Sequence, residues 1–197
     1  MMVVGLTGGI GSGKTIVLNF FKEIGVSCYI ADVEAKHLMN TSVEIKNEVI
    51  ALLGEEAYTA KGLNRNFIAD IVFNNRDILE QLNAIVHPRV FEDFIKFVES
   101  SIVDYIIYES AIILNGDSKK LCDKIIVVTS PLKTRIERVM KRDDVSEQSV
   151  LERINKQMSE KEMLAHSDFV INNISLESTK NRVESINAKI LLEIQNA

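Results

Sequence analysis

The chain has 197 residues, 46% of them hydrophobic, which suits one sizeable domain with a real core. A formal net charge of −5 speaks against a nucleic-acid partner, and no apolar run reaches the ~18 residues that span a bilayer, so no membrane partner is expected. No charged region precedes the N-terminal apolar stretch, and Cys28 and Cys122 stand far apart, so the expectation is a cytoplasmic protein with reduced thiols and no signal peptide.

Taken in chain order, Met2 to Leu6 reads as a short buried strand. It leads into Gly5-Leu6-Thr7-Gly8-Gly9-Ile10-Gly11-Ser12-Gly13-Lys14-Thr15, which fits G-x-x-x-x-G-K-[ST] with Gly8 and Gly13 as the fixed glycines. Ile16 to Phe21 then begins a helical pattern, so the motif has the strand before and the helix after that a P-loop needs. The chemistry of such a loop is anion binding. Its N–H groups turn inward and the helix N-terminus adds its positive dipole end. In this reading Lys14 reaches the β- and γ-phosphates of a nucleotide and Thr15 gives its hydroxyl to Mg²⁺. The alternative is a glycine-rich turn with no ligand, and Lys14-Thr15 at the required offset speaks against it. The loop does not say where the phosphate goes.

Ser27 to Ala31 is a second strand, ending at Asp32, and Val33 to Leu53 is helical in character up to Gly54. Ala60 to Leu63 reads as a turn. Ile68, Ile71 and Val72, then Leu79, Leu82, Ile85 and Val86, fall at helical spacing, and Phe91, Phe94, Ile95 and Val98 continue it past Pro88, which predicts a kink or restart there. Asp104 to Tyr108 is a third strand ending at Glu109. Asp123 to Thr129 is a fourth, followed by a helix from Pro131 to about Arg142. Val145 to Ala165 is polar and helical, Phe169 to Ile171 is a fifth strand, and Glu177 to Ile194 is an amphipathic closing helix. Short, continuously apolar strands alternating with helices predict an α/β fold with a parallel sheet covered on both faces. Two stretches leave this alternation, one over about 32–100 and one over 145–165.

In an open sheet of this kind ligands lie beyond the carboxyl ends of the strands, where the P-loop, Asp32, Glu109 and Thr129 all fall. Asp32 could accept a proton from a substrate hydroxyl or cap the helix at Val33; position alone leaves both readings open. Glu109 is a candidate second partner of Mg²⁺, through water, against a solvated strand end. Arg135, Arg138 and Arg142, at i, i+3 and i+7, share one helix face and could neutralise charge on a transferring group. The alternative is a solvated face paired with Glu137, Asp143 and Asp144. Arg65, His87 and Arg89, like His37 and His166, read on their own as surface residues. No Cys/His cluster has zinc spacing, and no Gly-x-Ser-x-Gly is present.

With these motifs in place the sequence resembles the dephospho-CoA kinase family over nearly its whole length. The residues that carry the resemblance are Gly5 to Lys14, Ala31-Asp32, Gly62-Leu63-Asn64-Arg65, Val72-Phe73, Leu82 to Pro88, Arg138 with Arg142-Asp143 and Gln157, and Ser167 to Asn173. One departure stands out. The family usually carries Pro-Leu-Leu-Phe-Glu where this chain has Ala111-Ile112-Ile113-Leu114-Asn115, which puts a contact near Asn115 in doubt.

The resemblance implies a P-loop fold with strand order 2-3-1-4-5, a helical CoA-binding insertion over about 32–100 and a lid over about 142–165. It implies transfer of the ATP γ-phosphoryl to the ribose 3′-hydroxyl of dephospho-CoA, with Mg²⁺. Asp32 becomes the expected base. Lys14, Arg138 and Arg142 become catalytic contacts, the last two from the lid, and Gly8, Gly9, Ile10, Gly11, Ser12, Gly13, Lys14 and Thr15 become the nucleotide cradle. Asn173 is implied at the adenine, Arg65 and His87 at dephospho-CoA, and Thr15 and Glu109 at the metal. The expected state is a monomer, with a homo-oligomer as the alternative. The rivals are a kinase for another nucleotide or small alcohol, a GTP-dependent switch and a non-catalytic nucleotide-binding module. The switch would need Asn-Lys-x-Asp, and Asn155-Lys156-Gln157-Met158 lacks its Asp.

Overall fold

The fold is taken from a computed structural model that describes residues 1–115 and 117–196. Two compact units make up the chain: Met1–Tyr29 with Ser101–Ala197, and Ile30–Ser100.

The first unit is built on a five-stranded sheet. Its strands are β1 (Met2–Thr7), β2 (Ser27–Ile30, whose last residue opens the second unit), β5 (Tyr105–Glu109), β6 (Lys124–Thr129) and β7 (Phe169–Asn172), in the order β2-β5-β1-β6-β7. Renumbered as five strands in chain order, this is the expected 2-3-1-4-5. β1 pairs parallel with β5 and β6, and β6 with β7. The near-continuous burial of β1, β5 and β6 explains their unbroken apolar runs, because a parallel sheet is covered on both sides. Parallel register brings the last residues of β1, β5, β6 and β7 to one edge. Leu6 stands against Glu109, Thr7 against Val127 and Thr129 against Asn172. Helices α1 (Lys14–Glu23), α6 (Leu132–Asp143), α7 (Glu147–Asn155), α8 (Glu160–Ala165) and α9 (Leu176–Gln195) complete the unit. The predicted single stretch over 145–165 is therefore two helices, each started by its own serine. Ser146 accepts from the Ser149 N–H, and Ser159 and Glu162 form a reciprocal capping box.

At the opposite edge of the sheet two carboxylates hold strand starts. Asp123 accepts the Val3 N–H and Asp168 the Ile125 N–H, both at 2.7 Å. Asp168 and Asn173, neighbours in one sequence motif, thus sit at opposite ends of β7.

The second unit contains α2 (Ala31–Thr41), α3 (Val43–Leu53), a small hairpin of β3 (Tyr58–Thr59) and β4 (Gly62–Leu63), α4 (Arg65–Asn74) and α5 (Arg76–Ser100). Three predicted boundaries are corrected here. The helix expected over Val33–Leu53 breaks at Ser42, which turns extended and accepts from the Ile45 N–H as the cap of α3. The chain is already helical at Ala31, so the second strand ends a residue early. Ile30 is the N-cap and Asp32 lies inside the first turn, which removes the capping role considered for it. Pro88 does not end its helix. α5 runs through it, with Leu82, Val86, Val90 and Phe94 buried as a stripe at i+4 spacing, and packs on α2 and α3. Burial of that stripe offsets the hydrogen bond the proline cannot make.

Candidate active site

The P-loop spans the end of β1 to the first turn of α1. Gly13, at φ 93°, is the N-cap of α1, a left-handed conformation that glycine adopts at no steric cost. Gly11 (φ 77°) also lies against α6 so closely that a Cβ would stand 2.5 Å from the Arg135 carbonyl oxygen.

Between them the protein's donors engage every carbonyl of the loop from Gly8 to Gly13. The Lys14 Nζ donates to the Gly8 carbonyl at 2.8 Å and the Ser12 N–H to that of Gly9 at 3.1 Å. Arg135 Nε donates to the Ile10 carbonyl at 2.9 Å. Arg138 reaches the carbonyls of Gly11 at 3.3 Å and Ser12 at 3.4 Å, and the Asn173 amide NH₂ donates to Ser12 at 2.9 Å. The Gly13 carbonyl accepts from the Ile16 and Val17 N–H groups. A glycine-rich loop whose carbonyls are all engaged within the protein has a fixed course, and it runs into a helix N-terminus, the arrangement that receives phosphate oxygens.

Two of the three predicted arginines therefore brace the loop. Arg135 is buried, 7% exposed, and its second anchor is Glu160 at 3.7 Å. Burial pushes its guanidinium below the ordinary value while Glu160 pulls it back up, and it remains charged. Arg138 also donates to Ser130 Oγ and the Asn173 carbonyl. Arg142, one turn on, is exposed and bound edge-on to Asp143, at 2.7 and 3.0 Å, with Arg153 on the same carboxylate at 2.8 Å. The predicted three-arginine face is thus split. Its first two members lie under the P-loop and its last lies in a surface pair of the kind that the bland alternative described.

Asn173 joins Arg138 on the Ser12 carbonyl. It is 1% exposed, its NH₂ is on Ser12 and its oxygen accepts from Thr179 Oγ1 at 3.1 Å, so its side chain is engaged within the protein. Lys14 is half-buried, Thr15 is exposed in the first turn of α1, and Glu109 is 8% exposed at the end of β5. Thr15 and Glu109 are hard oxygen donors, the chemistry that suits Mg²⁺. Ser12 Oγ is buried without a hydrogen-bond partner. In the second unit Asp32 is exposed in the first turn of α2, Arg65 exposed at the first position of α4 and His87 exposed in mid-α5. Arg89, two residues after His87, pairs with Glu48 at 2.7 Å.

Reading residue by residue missed Gln157. Its side-chain oxygen accepts the Ile10 N–H at 2.8 Å. Only its place in the family pattern singled it out, since a glutamine between two short helices carries no chemical signal.

The sequence matches the family model described as CoaE: Dephospho-CoA kinase over residues 2–178. The chain belongs to the dephospho-CoA kinase family. A dephospho-CoA kinase of Bacteroides fragilis is 37% identical over 171 residues, covering 86% of this chain and 83% of that protein. One of Fusobacterium nucleatum is 33% identical over 186 residues, covering 93% and 96%. The crystal structure of TT1252 from Thermus thermophilus superposes with a TM-score of 0.85 at 26% identity, over 95% of this chain and 97% of that one. With family and fold agreeing, the protein is an ATP-dependent kinase.

Proposed function

We propose that the chain transfers the γ-phosphoryl of ATP to the ribose 3′-hydroxyl of dephospho-CoA, giving CoA and ADP. The observation that carries the reading is the braced glycine loop at the N-terminus of α1, with every carbonyl from Gly8 to Gly13 engaged, which supports a polyphosphate cradle. Lys14 and the N–H groups of the Gly8–Thr15 loop, other than those of Ile10 and Ser12, which donate to Gln157 and Gly9, hold the phosphates. Thr15 and Glu109 would hold Mg²⁺, which when bound supplies positive charge to the phosphate oxygens. Asp32 takes the proton of the attacking hydroxyl, and Arg65 and His87 hold the acceptor. Arg138 acts on the nucleotide through the loop carbonyls, and Asn173 acts with it. Arg142 needs the 142–165 segment to move before it meets phosphate. The reading is of a cytoplasmic monomer, with no nucleic-acid or membrane partner; no helix among the described residues is long and apolar enough to cross a membrane.

The test is an ADP-release assay with dephospho-CoA, adenosine and AMP as competing acceptors. Dephospho-CoA should dominate, with activity lost on chelation and restored by Mg²⁺. Equal or faster turnover with AMP would make the protein a different nucleotide kinase.

A further inference from the structure

Ile10 is the loop residue held at both ends by side chains from elsewhere in the fold. Its N–H donates to Gln157 and its carbonyl accepts from Arg135. Gln157 belongs to the turn between α7 and α8. Its own N–H donates to the Ile154 carbonyl at 3.0 Å, which ties the turn to the end of α7. Three residues on, Glu160 opens α8 and contacts Arg135. The turn therefore reaches Ile10 twice, directly through Gln157 and indirectly through Glu160 and Arg135. The rest of the loop is held differently, by its own turn, by Lys14, or by Arg138 and Asn173.

We propose that Gln157 is a positioning residue for the P-loop, its side-chain oxygen setting the Gly9–Ile10 peptide and so tying the α7–α8 turn to the phosphate cradle. The argument is geometric. Gln157 fixes the Gly9–Ile10 peptide through its N–H, and Arg135 fixes the following Ile10–Gly11 peptide through its C=O, so the two planes that flank Ile10 are both set and with the second of them the direction of the Gly11 N–H. When the turn lifts, Ile10 loses the Gln157 restraint and Arg135, still on the Ile10 carbonyl, loses its Glu160 anchor. When it seats, the cradle and the segment above it are set together. A cradle set out of register costs rate at the transferring phosphoryl more than it costs binding. This inference rests on the kinase reading, but the contact itself can be measured without turnover.

Gln157→Met keeps the length of the side chain and its packing beside Thr7, Ile112 and Met158 while removing the acceptor. Gln157→Asn keeps the amide but withdraws it by one carbon. Two measurements are made on each: amide hydrogen exchange at Ile10 by NMR, and steady-state kinetics with a melting curve. Both variants should exchange Ile10 at least about tenfold faster and lose about tenfold or more in kcat, with KM for dephospho-CoA within about threefold and the melting temperature within about 2 °C. Unchanged exchange at Ile10 would overturn the proposal. So would faster exchange with normal kcat, or a large loss of melting temperature in both variants, which would make Gln157 a residue of the fold. The exchange arm reads the contact whatever the acceptor proves to be, so failure of the dephospho-CoA assignment would be seen separately.

Discussion

Asn173 holds the Ser12 carbonyl with one end of its amide and the Thr179 hydroxyl with the other. Replacing the NH₂ by an oxygen sets two acceptors against each other in a buried place. Asn173→Asp should therefore cost about 1–3 kcal/mol of stability and raise KM for ATP, although the structure gives Asn173 no exposed face. A melting curve with an ATP titration checks both; a loss of ATP affinity without loss of stability would return Asn173 to direct contact with the base. Asp32 is a different case. It lies past the N-cap, in the first turn of α2, where its charge contributes only ~0.3–1 kcal/mol through the helix dipole. Asp32→Asn should melt close to the parent yet lose on the order of 10²–10⁴ in kcat if it is the base. Near-normal turnover would remove that role. Position in the sequence brought out Asp32 and Lys14 because their chemistry is rare at a strand end or in a glycine loop. Asn173 was legible as a motif residue, but not its inward orientation, because the chain alone does not show which way a short amide turns.

At the scale of elements, α6 does two jobs. Its first half carries Arg135 and Arg138 under the P-loop, and its last turn carries Arg142 into a cluster with Asp143 and Arg153 that joins α6 to α7. Hydrogen bonding and attraction from Arg142, then Arg153, hold the Asp143 carboxyl below its ordinary value of 3.8. A depressed carboxylate contributes stability above its unfolded pKa and loses that contribution as pH falls through the folded one. The difference in melting temperature between the parent and Asp143→Asn should thus be constant above about pH 5 and shrink below pH 4. The stability difference behind it should be small, about 0.2–1 kcal/mol or less, because both arginine partners are exposed. A gap that widens in acid would contradict the pairing. The i, i+3, i+7 spacing revealed that the three arginines share a face. It could not reveal that the face changes environment along its length, since that depends on where the P-loop and α7 end.

For the whole molecule, the division into two units gives a separable expectation. Arg65 and His87 are exposed in the Ile30–Ser100 unit, whereas the P-loop and its braces lie in the other. Arg65→Ala and His87→Ala should raise KM for dephospho-CoA, by about tenfold for a lost charged contact, and leave KM for ATP within about threefold. Equal changes in both constants would mean that these residues act through the fold instead of holding the acceptor.

The sequence alone was enough for the parallel sheet, its strand order by resemblance, the P-loop motif and the helical character of most of the segments between the strands. These rest on local signals: unbroken apolar runs, a glycine-lysine motif and helical spacing, each readable within a dozen residues. The tertiary structure decided the rest. It broke the Val33–Leu53 helix at Ser42, carried α5 through Pro88, turned Asn173 inward and brought Arg135, Arg138 and Gln157 onto the loop carbonyls and the Ile10 amide. Each of those outcomes is a contact between residues distant in sequence, or a local preference overruled by burial. Gln157 and Ile10 are 147 positions apart, and only the sheet order that places β1 beside β6 brings the segment after β6 over the loop after β1.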